Sequence, residues 1–140
     1  MRVLILDWYY GRALDAFYAA RPGLDRAPHD QQLEALLAFS FGTADFYSRG
    51  LRALGHEATE TVVNAAPLLE VWAREHGLRP PLAGPRPAWL RRVVLERVRR
   101  ERPDVLYVQD VTWPDAALLA ELRAYVRVIA GQTAYPLPPG

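Results

Sequence analysis

Three features of the chain predict an α/β fold, a Rossmann-like three-layer α/β/α arrangement on a mostly parallel sheet of about four strands. Four short apolar or alternating runs recur along its 140 residues, at 2–6, 56–64, 104–110 and 126–132. The segments between them carry helical spacing and helix stop signals. Each run also ends in polar or aromatic residues, as strands do where they deliver side chains to a ligand-binding rim. At this length a single domain, spanning 1–140, is expected.

The elements follow in order. "RVLIL" (2–6) is short and apolar and stops at Asp7, so it reads as a buried strand. Leu14, Phe17 and Tyr18 have helical spacing, and "ARPGLDRAPHD" (20–30) reads as a loop that includes His29. Leu33, Leu36 and Leu37 predict a helix over about 30–39. The next helix lies within "FGTADFYSRGLRALGHE" (41–57): Thr43 caps its start, Phe46, Leu51 and Leu54 share its inner side, and Gly55 ends it. "HEATETVVN" (56–64) alternates and then turns apolar, giving the second strand. "PLLEVWAREHG" (67–77) is a helix with Pro67 in its first turn. A proline-rich connector (78–87) leads to an amphipathic helix over 88–103, with Leu90, Val94 and Val98 inward, the arginines outward and Pro103 as its stop. "DVLYVQD" (104–110), a helix over 114–125 and "VRVIAGQ" (126–132) complete the alternation.

Composition excludes several functions. The net charge of +1 is too small and too evenly spread to favour nucleic acid or an anionic membrane. No apolar run approaches a membrane span, and the amino terminus lacks a signal-peptide cleavage pattern, so a cytoplasmic location is expected. There is no cysteine, hence no thiol nucleophile. All seventeen basic residues are arginine, which removes Schiff-base, phosphate-loop and receiver-type lysines together. No G-x-G-x-x-G follows the first strand, so a dinucleotide cofactor is not expected, and no G-x-S-x-G elbow is present. No phosphate-binding loop follows that strand either, which argues against flavin mononucleotide. His29, His56 and His76 are scattered, and no cluster has metal-ligand spacing, so no metal is expected.

The candidate site is the rim at the carboxyl ends of the strands. It gathers Asp7, Trp8, Tyr9, Tyr10 and Gly11, then Asn64, then Gln109 and Asp110, then Gly131 and Gln132. Aromatic faces there suit a sugar ring or a base, and the two carboxylates could serve acid–base work. Asp110, followed by "VTWPD", is equally suited to forming a turn. Phe41, Gly42 and Thr43 stand at a helix amino terminus near the same rim.

"MRVLILDWYY", "FGTADFYSRGLRALGHEA", "VVNAAPLLEVWAREHGL" and "RPDVLYVQDVTW…LRAYVRVIAGQTAYPLP" together resemble the amino-terminal region of bacterial GT-B glycosyltransferases of the family-4-like and CgeB-like type. The likeness runs from Met1 to about Pro139. It implies an acceptor-binding domain that works with a carboxyl-terminal, sugar-nucleotide-binding Rossmann-like domain supplied in cis or in trans. The sugar nucleotide would then be a co-substrate of the parent enzyme, with no cofactor bound by this domain. It further implies a small-molecule or glycan acceptor held by Trp8, Tyr9, Tyr10, Gly11, Phe41, Gly42, Thr43, Gln109 and Gln132, with Asp110 or Asp7 as base. The chain lacks a second such domain, so the 140 residues are expected to be a truncated part of a longer protein or the binding half of a pair. An apolar edge strand would also permit a homodimer. A non-catalytic binding module on the same scaffold is the competing expectation.

Overall fold

The computed structural model describes residues 1–134 and Pro136; Tyr135 and residues 137–140, and with them most of the carboxyl-terminal "TAYPLPPG", lie outside the described residues. Four strands, β1 (Arg2–Asp7), β2 (Glu57–Val62), β3 (Val105–Val108) and β4 (Val128–Gly131), alternate with helices α1 (Gly11–Ala19), α2 (His29–Ala38), α3 (Phe46–Ala53), α4 (Ala66–Glu75), α5 (Arg86–Glu101) and α6 (Ala116–Leu122). The strands form one all-parallel sheet in the order β2-β1-β3-β4. The order reverses between β1 and β3, which opens a crevice beyond their carboxyl ends.

The pleat sends alternate residues of β1 to opposite faces. Leu4 and Leu6, with Leu106 and Val108 of β3, pack beneath α4, α5 and α6 against Trp72, Val93, Val94, Leu118 and Leu122. Val3 and Ile5 face the other way and cluster with Ala58, Leu51 of α3, Val105 and Tyr107. Helices α1 and α2 contribute little to that second face. Their Leu14, Phe17 and Leu36 form a separate cluster with Val62 and Leu68, at the β2 edge. On that second face α3 reaches β3 through the Tyr47–Tyr107 ring contact, centroids 5.4 Å apart, and Val128 of β4 beyond it is 52% exposed.

Several local expectations change. The first residue of α2 is His29, which is buried rather than in a loop. Helix α5 turns Trp89, Val93 and Arg97 inward along with Val94 and Val98, because two turns of a helix against two neighbours need a wider stripe than Leu90, Val94 and Val98 provide. Arg97 is thus an exception to the outward arginines. Its guanidinium holds Glu101 at 2.6 Å, His29 Nε2 at 3.2 Å and the Glu60 carbonyl at 3.3 Å. Arginine can only donate, so Nε2 of His29 accepts and its Nδ1–H donates to Asp30 at 2.9 Å. Burial keeps this imidazole below its usual titration range.

Helix α3 is the largest departure. It starts at Phe46, three residues after Thr43, and no side chain caps it. Phe46 and Leu54 face solvent, and Ser48 is the side chain it buries. The reason lies beneath it: the position it covers on β2 is Glu60, a polar partner.

Candidate functional site

Two neighbouring residues, Asp7 and Trp8, leave β1 toward opposite sides of the rim and build two different places.

Trp8 enters the aromatic one. Its ring stacks on Trp113 with centroids 6.0 Å apart and planes 25° from parallel. Asn64, just past β2, clasps the backbone of Tyr9: its Oδ1 accepts from Tyr9 N at 3.0 Å, and its amide donates back to the Tyr9 carbonyl. This two-point clasp fixes the exit of β1 and the direction of Trp8. A cleft of about 320 Å³ opens beside the two rings, lined also by Val63, Leu90, Arg91 and Asp115. Arg91 reaches Asp115 at 2.9 Å and Glu121 at 3.3 Å. Asp115 in turn caps α6 through Leu118 N at 2.7 Å. The indole nitrogen of Trp113 is buried without an acceptor. The cleft thus offers an apolar aromatic wall and a polar rim, a combination that suits a hydroxyl-bearing ring.

Asp7 enters the acidic one. It lies 3% exposed beside Glu60 of β2, also 3% exposed. Each has one buried oxygen that receives no N–H or hydroxyl donor, Oδ2 of Asp7 and Oε2 of Glu60, while the other Glu60 oxygen accepts from Ser48 N at 3.1 Å. Among the described residues no arginine or histidine forms an ion pair with either acid. Burial, then the neighbouring Glu60 charge, push the Asp7 carboxyl up to about 8. Burial also raises Glu60, against the hydrogen bonds from Ser48 and Asp7. Burial and like charge together favour a pair that holds a proton over one in which both carboxyls are ionised. The phenol of Tyr9 is buried nearby without a partner, and burial together with these acids raises its titration.

The remaining rim residues divide as follows. Tyr9 is core, 2% exposed and packed on Phe41 with centroids 5.0 Å apart. That enclosure places its side chain in the core rather than on the open rim. Tyr10 stays exposed and meets the edge of Phe41 at 5.3 Å. Gly11 opens α1 with open space where a Cβ would stand, and Gly42 adopts φ 59° in a turn. Thr43 caps no helix: it accepts from Gln109 Nε2 at 2.7 Å, Gln109 accepts from Gln132 at 2.8 Å, and Gln132 accepts from the Tyr107 hydroxyl at 2.9 Å. This chain ties the 40–45 segment to the ends of β3 and β4. Asp110 turns back on its own loop, accepting from the backbone and hydroxyl of Thr112. It does not meet Asp7, whose partner is Glu60.

Glu60, Trp113 and Arg91 went unmarked in the sequence. Glu60 had a signal: in "EATETV" it falls on the same alternation as Ala58 and Val62, so a carboxylate is aimed at the core. Trp113 and Arg91 had none, since the crossover brings them to the rim from α5 and from the loop after β3.

Among the described residues no helix is long and apolar enough to cross a membrane, and no three His, Cys, Asp or Glu side chains gather as a metal group would require. Compared with known proteins, the chain matches no protein-family model, no curated protein and no solved structure.

Proposed function

We propose that the chain is the acceptor-binding domain of a sugar-nucleotide-dependent glycosyltransferase, active when a carboxyl-terminal nucleotide-sugar-binding domain completes the cleft. The observation that carries this reading is the Trp8–Trp113 cleft at the β1/β3 switch point, where ligands of doubly wound sheets are held. Tryptophan faces favour the C–H surface of a pyranose, while Arg91, Asp115 and Asn64 stand where hydroxyls need partners. In this reading Trp8 and Trp113 seat the acceptor ring. Gln109 and Gln132 hold the rim in shape, and Asp110 is the carboxylate near enough to solvent to receive an acceptor proton.

A second reading, a binding module without turnover, is favoured by one observation: both rim aspartates are engaged, Asp110 by Thr112 and Asp7 by Glu60.

The test is saturation-transfer and chemical-shift NMR of the chain with methyl glycosides, free disaccharides and UDP-glucose. The acceptor-domain reading expects glycosides to shift the Trp8 and Trp113 indole signals, UDP-glucose to leave them in place, and Trp8→Ala to abolish the effect. Glycosides that leave both indoles unmoved would overturn it. Glycoside binding that yields no product when a nucleotide-sugar-binding domain is supplied would select the second reading.

A further inference from the structure

Charges that are evenly spread along the sequence gather at one place in space. Helix α4 is followed by Gly77 at φ 73°, and Leu78 N donates back to the Ala73 carbonyl at 2.8 Å. This left-handed stop turns the chain, and the connector then runs beside α4, tied to it where Arg86 holds Glu70 at 2.7 Å. Between connector and helix lies a groove of about 740 Å³. Its floor is apolar, from Val71, Leu78 and Trp89. Pro80 and Pro81 stiffen its wall. Arg26, Arg74 and Arg79 also line it, and all three are exposed. None of them makes an ion pair, a side-chain hydrogen bond or a ring contact among the described residues. Elsewhere arginines are commonly matched: Arg49, Arg91, Arg99, Arg100 and Arg127 each hold a carboxylate.

We propose that this groove binds a soluble phosphate monoester, with the phosphate held by Arg26, Arg74 and Arg79 and the organic part lying on Trp89 and Val71. Against Arg26, Arg74, Arg79 and Arg86 stand Asp25 and Glu70, an excess of two positive charges in the lining. A phosphate dianion neutralises that excess. Guanidinium forks pair with phosphate oxygens, and three unpaired forks suit three terminal oxygens better than the two of a carboxylate. The apolar floor favours an organic phosphate over the free ion, because an organic part removes that floor from water. A recess between two walls admits a small molecule rather than the plane of a bilayer. The prolines hold the connector in shape before binding, so little backbone order has to be gained. Asp25, on the short turn Leu24–Arg26, is the lining acid that Arg86 does not take, and it opposes the phosphate. The groove is separate from the Trp8–Trp113 cleft, although α5 lines both, with Trp89 on this side and Leu90 and Arg91 on the other.

An NMR titration with phenyl phosphate tests this, beside parallel titrations with inorganic phosphate, phenol and phosphatidic-acid vesicles. Phenyl phosphate is expected to shift the Trp89 indole and the Arg74 and Arg79 amides saturably, and to leave the Trp8 and Trp113 indoles in place. Inorganic phosphate should bind about tenfold more weakly for want of the ring, and phenol and vesicles should leave Trp89 unmoved. Arg74→Gln and Arg79→Gln should each weaken phenyl phosphate about tenfold, as loss of one charge-assisted hydrogen bond does. Asp25→Asn should strengthen it. Arg92→Gln and Arg123→Gln, at exposed arginines outside the groove, should leave its Kd unchanged. All five substituted side chains are exposed, so the fold is retained in each variant. An unmoved Trp89 indole, an unchanged Kd in both groove arginine variants, an equal loss in Arg92→Gln, or inorganic phosphate or vesicles bound as tightly as phenyl phosphate would each overturn the proposal.

Discussion

The two faces of the sheet are built from the same strands and differ in kind. Under α4–α6, β1 contributes Leu4 and Leu6 to a continuous apolar cluster that includes two tryptophans and is closed by three helices. Under α3, it contributes Val3 and Ile5 to a small cluster and then Asp7 to a buried polar pair. One face is a core, whose contribution is roughly proportional to the apolar area removed from water. The other is a thin layer that places ionisable groups in a dry site beside the rim. The difference teaches where adaptability lies. The packed face fixes the Trp8–Trp113 cleft, and the thin face is left to hold a proton.

The comparison can be broken most sharply at consecutive residues. Leu6→Ala removes a fully buried side chain from the packed face and should cost about 3 kcal/mol in denaturant unfolding, as cavities of that size do. Asp7→Asn, one residue on, should instead stabilise the chain at neutral pH, by on the order of 2 kcal/mol, because the folded chain no longer has to take up a proton. The same site gives the pH dependence. Asp7 titrates from 3.8 up to about 8 on folding, so between those values the folded state binds more protons than the unfolded one. Its contribution to stability must therefore decline as pH rises from about 4 to about 8 and level off above that. This is the reverse of an ion-paired carboxylate, and thermal melts across that range, with Asp7→Asn as the flattened control, check it.

Smaller effects sharpen the contrast at the rim. A Cβ on Gly131 would stand 2.3 Å from Val111 Cγ1 and 2.8 Å from the Val108 carbonyl. Gly131→Ala should cost about 1–2 kcal/mol and displace the loop that carries Trp113, visible as a shifted tryptophan emission maximum. Asp115→Ala removes the cap of α6 and one partner of Arg91, and should cost about 1 kcal/mol with the apolar cluster otherwise intact.

The alternation of strands and helices was legible because the parallel strands read as short apolar runs, and Gly55, Gly77 and Pro103 marked the ends of three helices. The strand order β2-β1-β3-β4 was left open, since crossovers of one hand narrow the arrangements of four strands without choosing one. Side-chain destinations were less legible. Tyr9 and Trp8 are both aromatic, and the clasp of Asn64 on the Tyr9 backbone, a contact from beyond β2, fixes the chain where one enters the core and the other the cleft. Arg97 looks like its sixteen fellows in composition, and its burial depends on His29 and Glu60, which arrive from elsewhere in the chain. Thr43 has the chemistry of a cap, yet Gln109 claims it. Such outcomes rest on long-range encounters that local periodicity does not encode.

The order β2-β1-β3-β4 has a temporal consequence. β1 is a central strand that precedes both its neighbours in the chain, and its Val3 pairs with Val105. During translation, at roughly 5–20 residues per second, β1 leaves the ribosome seconds before its second neighbour exists. Through that interval its backbone donors and acceptors on one side have no native strand to meet. Closing so long a loop is entropically slow, so folding should be rate-limited by the docking of β3 rather than by the early α-helices. The nascent chain through β2 is then the species most open to chaperones and to misassociation.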